Sequence, residues 1–277
     1  MRSVTLVAAL AVALAACTGS GDAGPSSPPA AAFELRAWTT QALPPDASFA
    51  GGPMLAITDG QAITPGAVPA IYPGPLVTPL IARPITEAGM ARIVAEMEAA
   101  GLLGERTDFT ERMPPGAPLA HILVSLDGAS REVTGDPSRV IQCIAPPCVP
   151  PPGTPEAFAT IWNALFDLGG WLGSAVGTEQ PYVARRAAIL VTEPTIDPAF
   201  AGQVVAWPLD GTFAETGIAF PGVGGARCVI VEGETLEAIR PSLEAANQLT
   251  RFRDRTGVER GLIVRWLVPN EPDPCSV

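Results

Sequence analysis

MLAITDGQAIT, residues 54–64, sets two short apolar runs on either side of Asp59-Gly60. Asp-Gly between such runs is a strong two-residue hairpin signal, because both central positions of the tight turn need positive φ and glycine adopts it without strain. The plan returns at AHILVSLDGASREV, residues 120–133, around Asp127-Gly128. A Pro-rich loop follows the first hairpin over 65–84 and contains Tyr72-Pro73-Gly74-Pro75. Thr86 then suits the N-cap of a helix on which Met90, Ile93, Val94 and Met97 recur at helical spacing, with Gly101 placed to end it. After the second hairpin comes another Pro-rich loop, holding Cys143 and Cys148. Thr154-Pro155-Glu156 opens a second helix with Phe158, Ile161, Trp162 and Leu165 on one face, expected to run to Gly169-Gly170. Asp59 and Asp127, Thr86 and Thr154, and Gly101 and Gly169 are each 68 residues apart, which suggests an internal duplication of a hairpin–loop–helix unit. The alternative is two ordinary segments that share common turn and cap residues.

Working outward, residues 33–39 alternate Phe33, Leu35 and Ala37 with Glu34, Arg36 and Trp38, as a half-buried strand does. Strands are expected over 187–192, 203–207, 226–231 and 262–268. A helix is expected over 235–250, kinked or restarted at Pro241. The fold class is α+β, with antiparallel hairpins and two to three packed helices. The globular part spans 33–277, as one large domain or as two divided near 177/178.

Composition narrows function before any motif does. The chain of 277 residues has 17 basic residues, all Arg, against 28 acidic ones, for a net charge of −11. Such a balance argues against nucleic-acid binding, which needs basic surface to displace counterions from phosphates. Hydrophobic residues at 47% are too many for a disordered chain. The single His, His121, sits in a predicted strand beside Ile122, Leu123 and Val124, where a structural role is expected. No G-x-S-x-G elbow accompanies it, since Gly173-Ser174-Ala175-Val176-Gly177 has its Ser one place early. Gly222-Val223-Gly224-Gly225 departs from the dinucleotide fingerprint and precedes a strand instead of opening a helix. With no Lys, a P-loop is excluded. Neither a cofactor nor a metal site is expected.

The amino terminus reads as an export signal. Met1-Arg2 is followed by an apolar stretch over 3–16 that is too short to span a bilayer, which takes about 20 residues. Leu14-Ala15-Ala16-Cys17 resembles the lipobox of bacterial lipoproteins. The resemblance implies cleavage after residue 16, acyl chains on Cys17 and anchorage at the extracytoplasmic face of the cell membrane. Several acyl chains hold a protein there stably where one does so only marginally. Residues 17–32, rich in Gly, Ser, Pro and Ala, would then form a flexible lipidated tether. Setting Cys17 aside leaves Cys143, Cys148, Cys228 and Cys275, which allow three pairings. The turn between the first two favours Cys143–Cys148 with Cys228–Cys275. A four-cysteine zinc site is the alternative, and export weighs against it.

More broadly the chain resembles lipoproteins of unassigned function from high-GC bacteria. The shared features are the lipobox, Ile71-Tyr72-Pro73-Gly74-Pro75 ahead of a Thr-capped helix, the Trp207-Pro208-Leu209 step and the Pro-rich tail ending at Cys275. That resemblance implies an envelope location and no activity. The expected function is a non-catalytic binding or scaffolding module whose partners are the membrane, through Cys17, and an envelope protein or glycan. Tyr72 and Trp207, each beside a proline, are the candidate binding aromatics. Two alternatives remain: a carboxylate-based hydrolase acting on envelope glycans, and a small-molecule-binding lipoprotein. The tail acids Glu271 and Asp273 are expected to serve capping and solubility.

Overall fold

The computed structural model describes residues 33–139, 149–200 and 202–276, so Cys17, the signal segment, the tether and the Cys143–Cys148 ring lie outside the described residues. The fold is α+β, built on two sheets of mainly antiparallel strands. The first sheet comprises β1 (Phe33–Thr40), β2 (Leu55–Thr58), β3 (Gln61–Pro65), β4 (Leu80–Pro84), β5 (Asp108–Phe109), β6 (Leu119–Leu126), β7 (Ala129–Gly135) and β8 (Gln180–Tyr182), in the order β5-β7-β6-β1-β2-β3-β4-β8. The second comprises β9 (Arg186–Thr192), β10 (Val204–Ala206), β11 (Ile218–Ala219), β12 (Arg227–Glu232), β13 (Arg251–Arg253) and β14 (Glu259–Leu267), in the order β10-β13-β14-β9-β12-β11. Helices α1 (Pro45–Ala50), α2 (Glu87–Ala99), α3 (Pro155–Leu165), α4 (Leu168–Leu172) and α5 (Gly233–Glu244) cover the sheets.

Both expected hairpins form. Asp59 and Gly60 take φ of 50° and 68°, and Asp127 and Gly128 take 52° and 81°, the positive values a type I′ turn requires. β1 lies between the hairpins and pairs antiparallel with β2 on one side and β6 on the other. Its inward residues Phe33, Leu35 and Ala37, with Ala120, Ile122 and Val124 of β6, form a core with Ile93 and Met97 of α2 and Phe158, Ile161, Trp162 and Leu165 of α3. Burial of each large side chain there stabilises the fold by roughly 1.5–3 kcal/mol. The end of β7 is pressed so closely against α3 that a Cβ on Gly135 would fall 2.5 Å from the Phe158 ring.

A second core joins the sheets. Ala56, Ile63, Leu80 and Ala82 of the first sheet pack with Ala187, Ile189, Val191, Val231, Leu262, Val264 and Trp266 of the second. Leu236, Ile239 and Leu243 of α5 belong to the same cluster. The halves on either side of residue 177 therefore share one interior. On its other face the second sheet carries a smaller cluster of Phe49, Ala188, Leu190, Cys228, Leu267 and Cys275.

The Thr caps are as expected: Thr86 Oγ1 accepts from Gly89 N and Thr154 Oγ1 from Ala157 N, each at 3.2 Å. The third repeat signal is not equivalent. Gly101 follows α2 with φ 76°, whereas Gly169 lies inside α4. The internal duplication is thus not established. The second helix stops at Leu165 because Asp167 caps a new one, its carboxylate accepting from Gly170 N at 3.0 Å. β4 occupies the end of what reads as a loop over 65–84. α5 is one helix through Pro241, without a restart, and ends at Glu244 instead of residue 250. Beyond it, Asn247 Oδ1 accepts from Leu249 N and holds the backbone in a turn.

Cys228 and Cys275 are bonded, with Cα atoms 5.3 Å apart across a sequence separation of 47. Closing a loop of that length stabilises by about 4 kcal/mol on the chain-entropy account. Urea unfolding of a Cys228→Ala/Cys275→Ala variant should show a loss of about that size; an unchanged midpoint would mean that the tail is held by its other contacts alone.

Candidate functional site

His121 is the most conspicuous arrangement of chemical groups on the first sheet. Its Nε2 lies 2.7 Å from Thr40 Oγ1 and its Nδ1 2.8 Å from Glu132 Oε1, while its ring stacks on Trp38 at 5.0 Å. Glu132 accepts from Nδ1–H, so a neutral ring accepts the Thr40 hydroxyl proton at Nε2. The order hydroxyl–imidazole–carboxylate matches a nucleophile triad. A triad also needs a substrate cleft and donors for an oxyanion. His121 instead lies on the half-exposed face of the sheet, where it cross-links β1, β6 and β7.

The tail differs from expectation. Glu271 does not serve solubility: it is only 6% exposed and pairs with Arg265 at 2.5 Å, while its second oxygen accepts from Val268 N at 3.0 Å. Burial pushes the Glu271 carboxyl up and the Arg265 guanidinium down, and the attraction between them opposes both shifts. Arg265 also donates to the carbonyls of Phe49 and Gly51, so the pair ties β14 to α1 and the tail. Asp273 does cap, accepting from Cys275 N at 2.7 Å.

The two candidate aromatics have different surroundings. Tyr72 is 52% exposed on the β3–β4 loop, edge-on to Phe200 at 5.1 Å, and its hydroxyl donates to Asp197 at 3.1 Å. Partial desolvation and this bond to a carboxylate raise its pKa. Trp207 is 7% exposed and packs on Phe213 at 4.9 Å and Phe252 at 6.3 Å. Its ring is core, and among the described residues its indole N–H has no acceptor.

Behind Phe213 the structure opens. A cavity of about 590 Å³ lies at the end of the second sheet, within the range that holds small molecules. Its walls include Val191 of β9, Phe213, Ala219 of β11, Phe220, Val223 and Arg227 of β12, and the turn Asp254–Val258 with Arg260 closes the far side. Trp207 backs the Phe213 wall without lining the cavity. The glycine run now has its explanation: it is the turn joining β11 to β12. Ala226 N donates to Val223 O and Phe220 N to Ala226 O, and Gly222 and Gly225 have φ of 78° and 73°.

Asp254 shapes the far wall. Its Oδ1 accepts from Thr256 N, Thr256 Oγ1 and Val258 N, and its Oδ2 from Phe213 N at 3.1 Å. The hydroxyl bond from Thr256 and these backbone donors hold its carboxyl below the usual range. Four donors thus engage the one carboxylate among the lining residues.

Among the described residues no group of three His, Cys, Asp or Glu side chains is placed to hold a metal ion, and no helix is long and apolar enough to cross a membrane. No protein-family model, no curated protein and no solved structure matches the chain. The cavity residues come from four separate stretches of chain, so no contiguous motif signals them.

Two outcomes test this assignment. Thermal or urea unfolding of Trp207→Ala should show a loss of about 3–5 kcal/mol, as for a large buried ring. Trp207→Phe should lose half of that or less, because the unpartnered N–H leaves with the missing part of the ring. For Asp254 the folded pKa is depressed, so its contribution to stability is present above about pH 4 and is lost as pH falls through the depressed value. Asp254→Asn should lower the melting temperature at neutral pH and flatten its fall on the acid side. A parallel acid limb in wild type and variant would contradict that role.

Proposed function

We propose that this protein is a non-catalytic, envelope-anchored binding protein that holds a small molecule in the cavity at the end of the second sheet. The observation that carries the reading is the cavity itself: about 590 Å³, walled by Phe213, Phe220, Val191 and Val223, with a few placed polar groups. That composition is typical of ligand sites, in which apolar walls supply affinity and a few polar groups fix orientation. The rival hydrolase needs two carboxyl groups facing one substrate, several Å apart. Asp254 is the sole carboxylate among the lining residues, and four donors occupy it. Anchorage through acylated Cys17 at the extracytoplasmic face, with the 17–32 tether holding the folded part off the membrane, rests on the lipobox and the apolar leader.

Binding is tested with the neutral apolar dye N-phenyl-1-naphthylamine. Its fluorescence should rise saturably with the full-length protein. Ala219→Trp, which puts an indole on the cavity wall from an exposed edge strand, should weaken binding by about tenfold or more at unchanged melting temperature. Unsaturable binding, or equal affinity in the variant, would refute the cavity as the site. Unreduced mass spectrometry of the protein exported from a bacterial host checks the anchor: acyl chains on an amino-terminal Cys17 are expected, and an unacylated mature chain would remove that part.

A further inference from the structure

We infer that the cavity selects a singly charged carboxylate carried on an apolar body, and that Arg227 receives the carboxylate; the inference rests on the binding role proposed above. Arg227 stands on the cavity wall with its head already held. Its Nε donates to Thr216 O and one terminal nitrogen to Gly217 O, both at 2.6 Å. Two neutral carbonyls fix the guanidinium plane without neutralising it. No carboxylate among the described residues pairs with it, and the rest of its donors remain for a ligand. A preorganised guanidinium beside apolar walls favours a planar oxyanion, which it can meet with two parallel N–H bonds.

The other polar groups of the lining point the same way. Thr256 spends its hydroxyl on Asp254 and Thr212 spends its own on Glu215. Asp254 is engaged by four donors, so the lining's one carboxylate is already turned to groups of the protein itself. Arg260, the second cation, pairs with Glu193 at 3.4 Å, and Glu193 is largely exposed. Of the two guanidinium groups on the lining, Arg227 alone has no carboxylate partner among the described residues, and one unpaired cation suits a monoanion. A neutral ligand would cover Arg227 without replacing the water it loses, and that desolvation counts against it.

Calorimetric titration of the full-length protein with 2-naphthoate and 2-naphthamide isolates the charge, since the two share shape and apolar body. Wild type should bind the carboxylate about tenfold more tightly or better, and the advantage should largely persist as salt is raised, because contact with a partly buried guanidinium is little screened. Arg227→Gln should bring the two affinities together by weakening the carboxylate and not the amide. Equal affinities in wild type would overturn the ligand class, and a preference that survives Arg227→Gln would overturn Arg227 as its receiver; either outcome leaves the cavity as a binding site. Failure of wild type to bind either compound would overturn both readings. The wild-type ratio decides the ligand class even if Arg227→Gln does not fold.

Discussion

Every residue of β2 from Leu55 to Thr58 is buried, because this strand has a core on each side. Leu55 and Ile57 face the helices, and Ala56 faces the second sheet. The two faces are told apart by size, with large residues toward α2 and α3 and a small one where the sheets approach. A one-residue slip in pairing would turn Leu55 and Ile57 toward the second sheet and Ala56 toward the helices, so neither core would be filled by the residues it now holds. The Asp59-Gly60 turn prevents this by setting the β2–β3 register, with Ala56 opposite Ile63 and Ile57 opposite Ala62. The rest of the first sheet grows outward from that pairing, and the second sheet is seated by it.

The same economy governs the second sheet, where neighbouring residues of one strand serve opposite faces. Cys228 points to the outer cluster and is bonded to Cys275, whereas Arg227 points to the cavity. Arg227 lies opposite Val191 and Cys228 opposite Leu190, so the cavity wall and the outer cluster share one ladder. The disulfide thus pins the strand that carries the cavity's cation. Gly217 completes the arrangement. Its φ is 53°, and a Cβ there would collide with the Cys228 carbonyl, so only glycine lets this loop approach β12 and offer its own carbonyl to Arg227.

What the sequence makes legible is what short-range chemistry specifies. Both hairpins could be read because Asp-Gly meets the φ requirement of the turn locally. The helix starts at Thr86 and Thr154 could be read because a cap spans three residues. Asp167 carries the same signal, but it falls inside an apolar periodicity that continues past it, and so the break after Leu165 was hidden. β4 was masked by the prolines before it, and its strand character comes from pairing with β3 and with the distant β8. Trp207 looked available because proline follows it, yet Phe213 and Phe252 enclose it from elsewhere in the chain. The cavity was invisible for the same reason: its walls meet only after the β9, β12 and β14 ladders form.

The local charge of the cavity opposes that of the whole. At a net charge of −11 the protein repels anions at long range, so a carboxylate gains no help in diffusing to the site. Such repulsion is screened beyond about 8 Å at physiological ionic strength, whereas contact with a half-buried guanidinium is not. Selection must therefore act at contact, in the rate at which a bound ligand leaves and not in the rate at which it arrives. In the proposed role the apolar walls would admit a ligand of fitting shape, and Arg227 would hold the anionic one. The carboxylate of Asp254 is turned toward four donors of its own turn and of Phe213, and it makes no pair with Arg227.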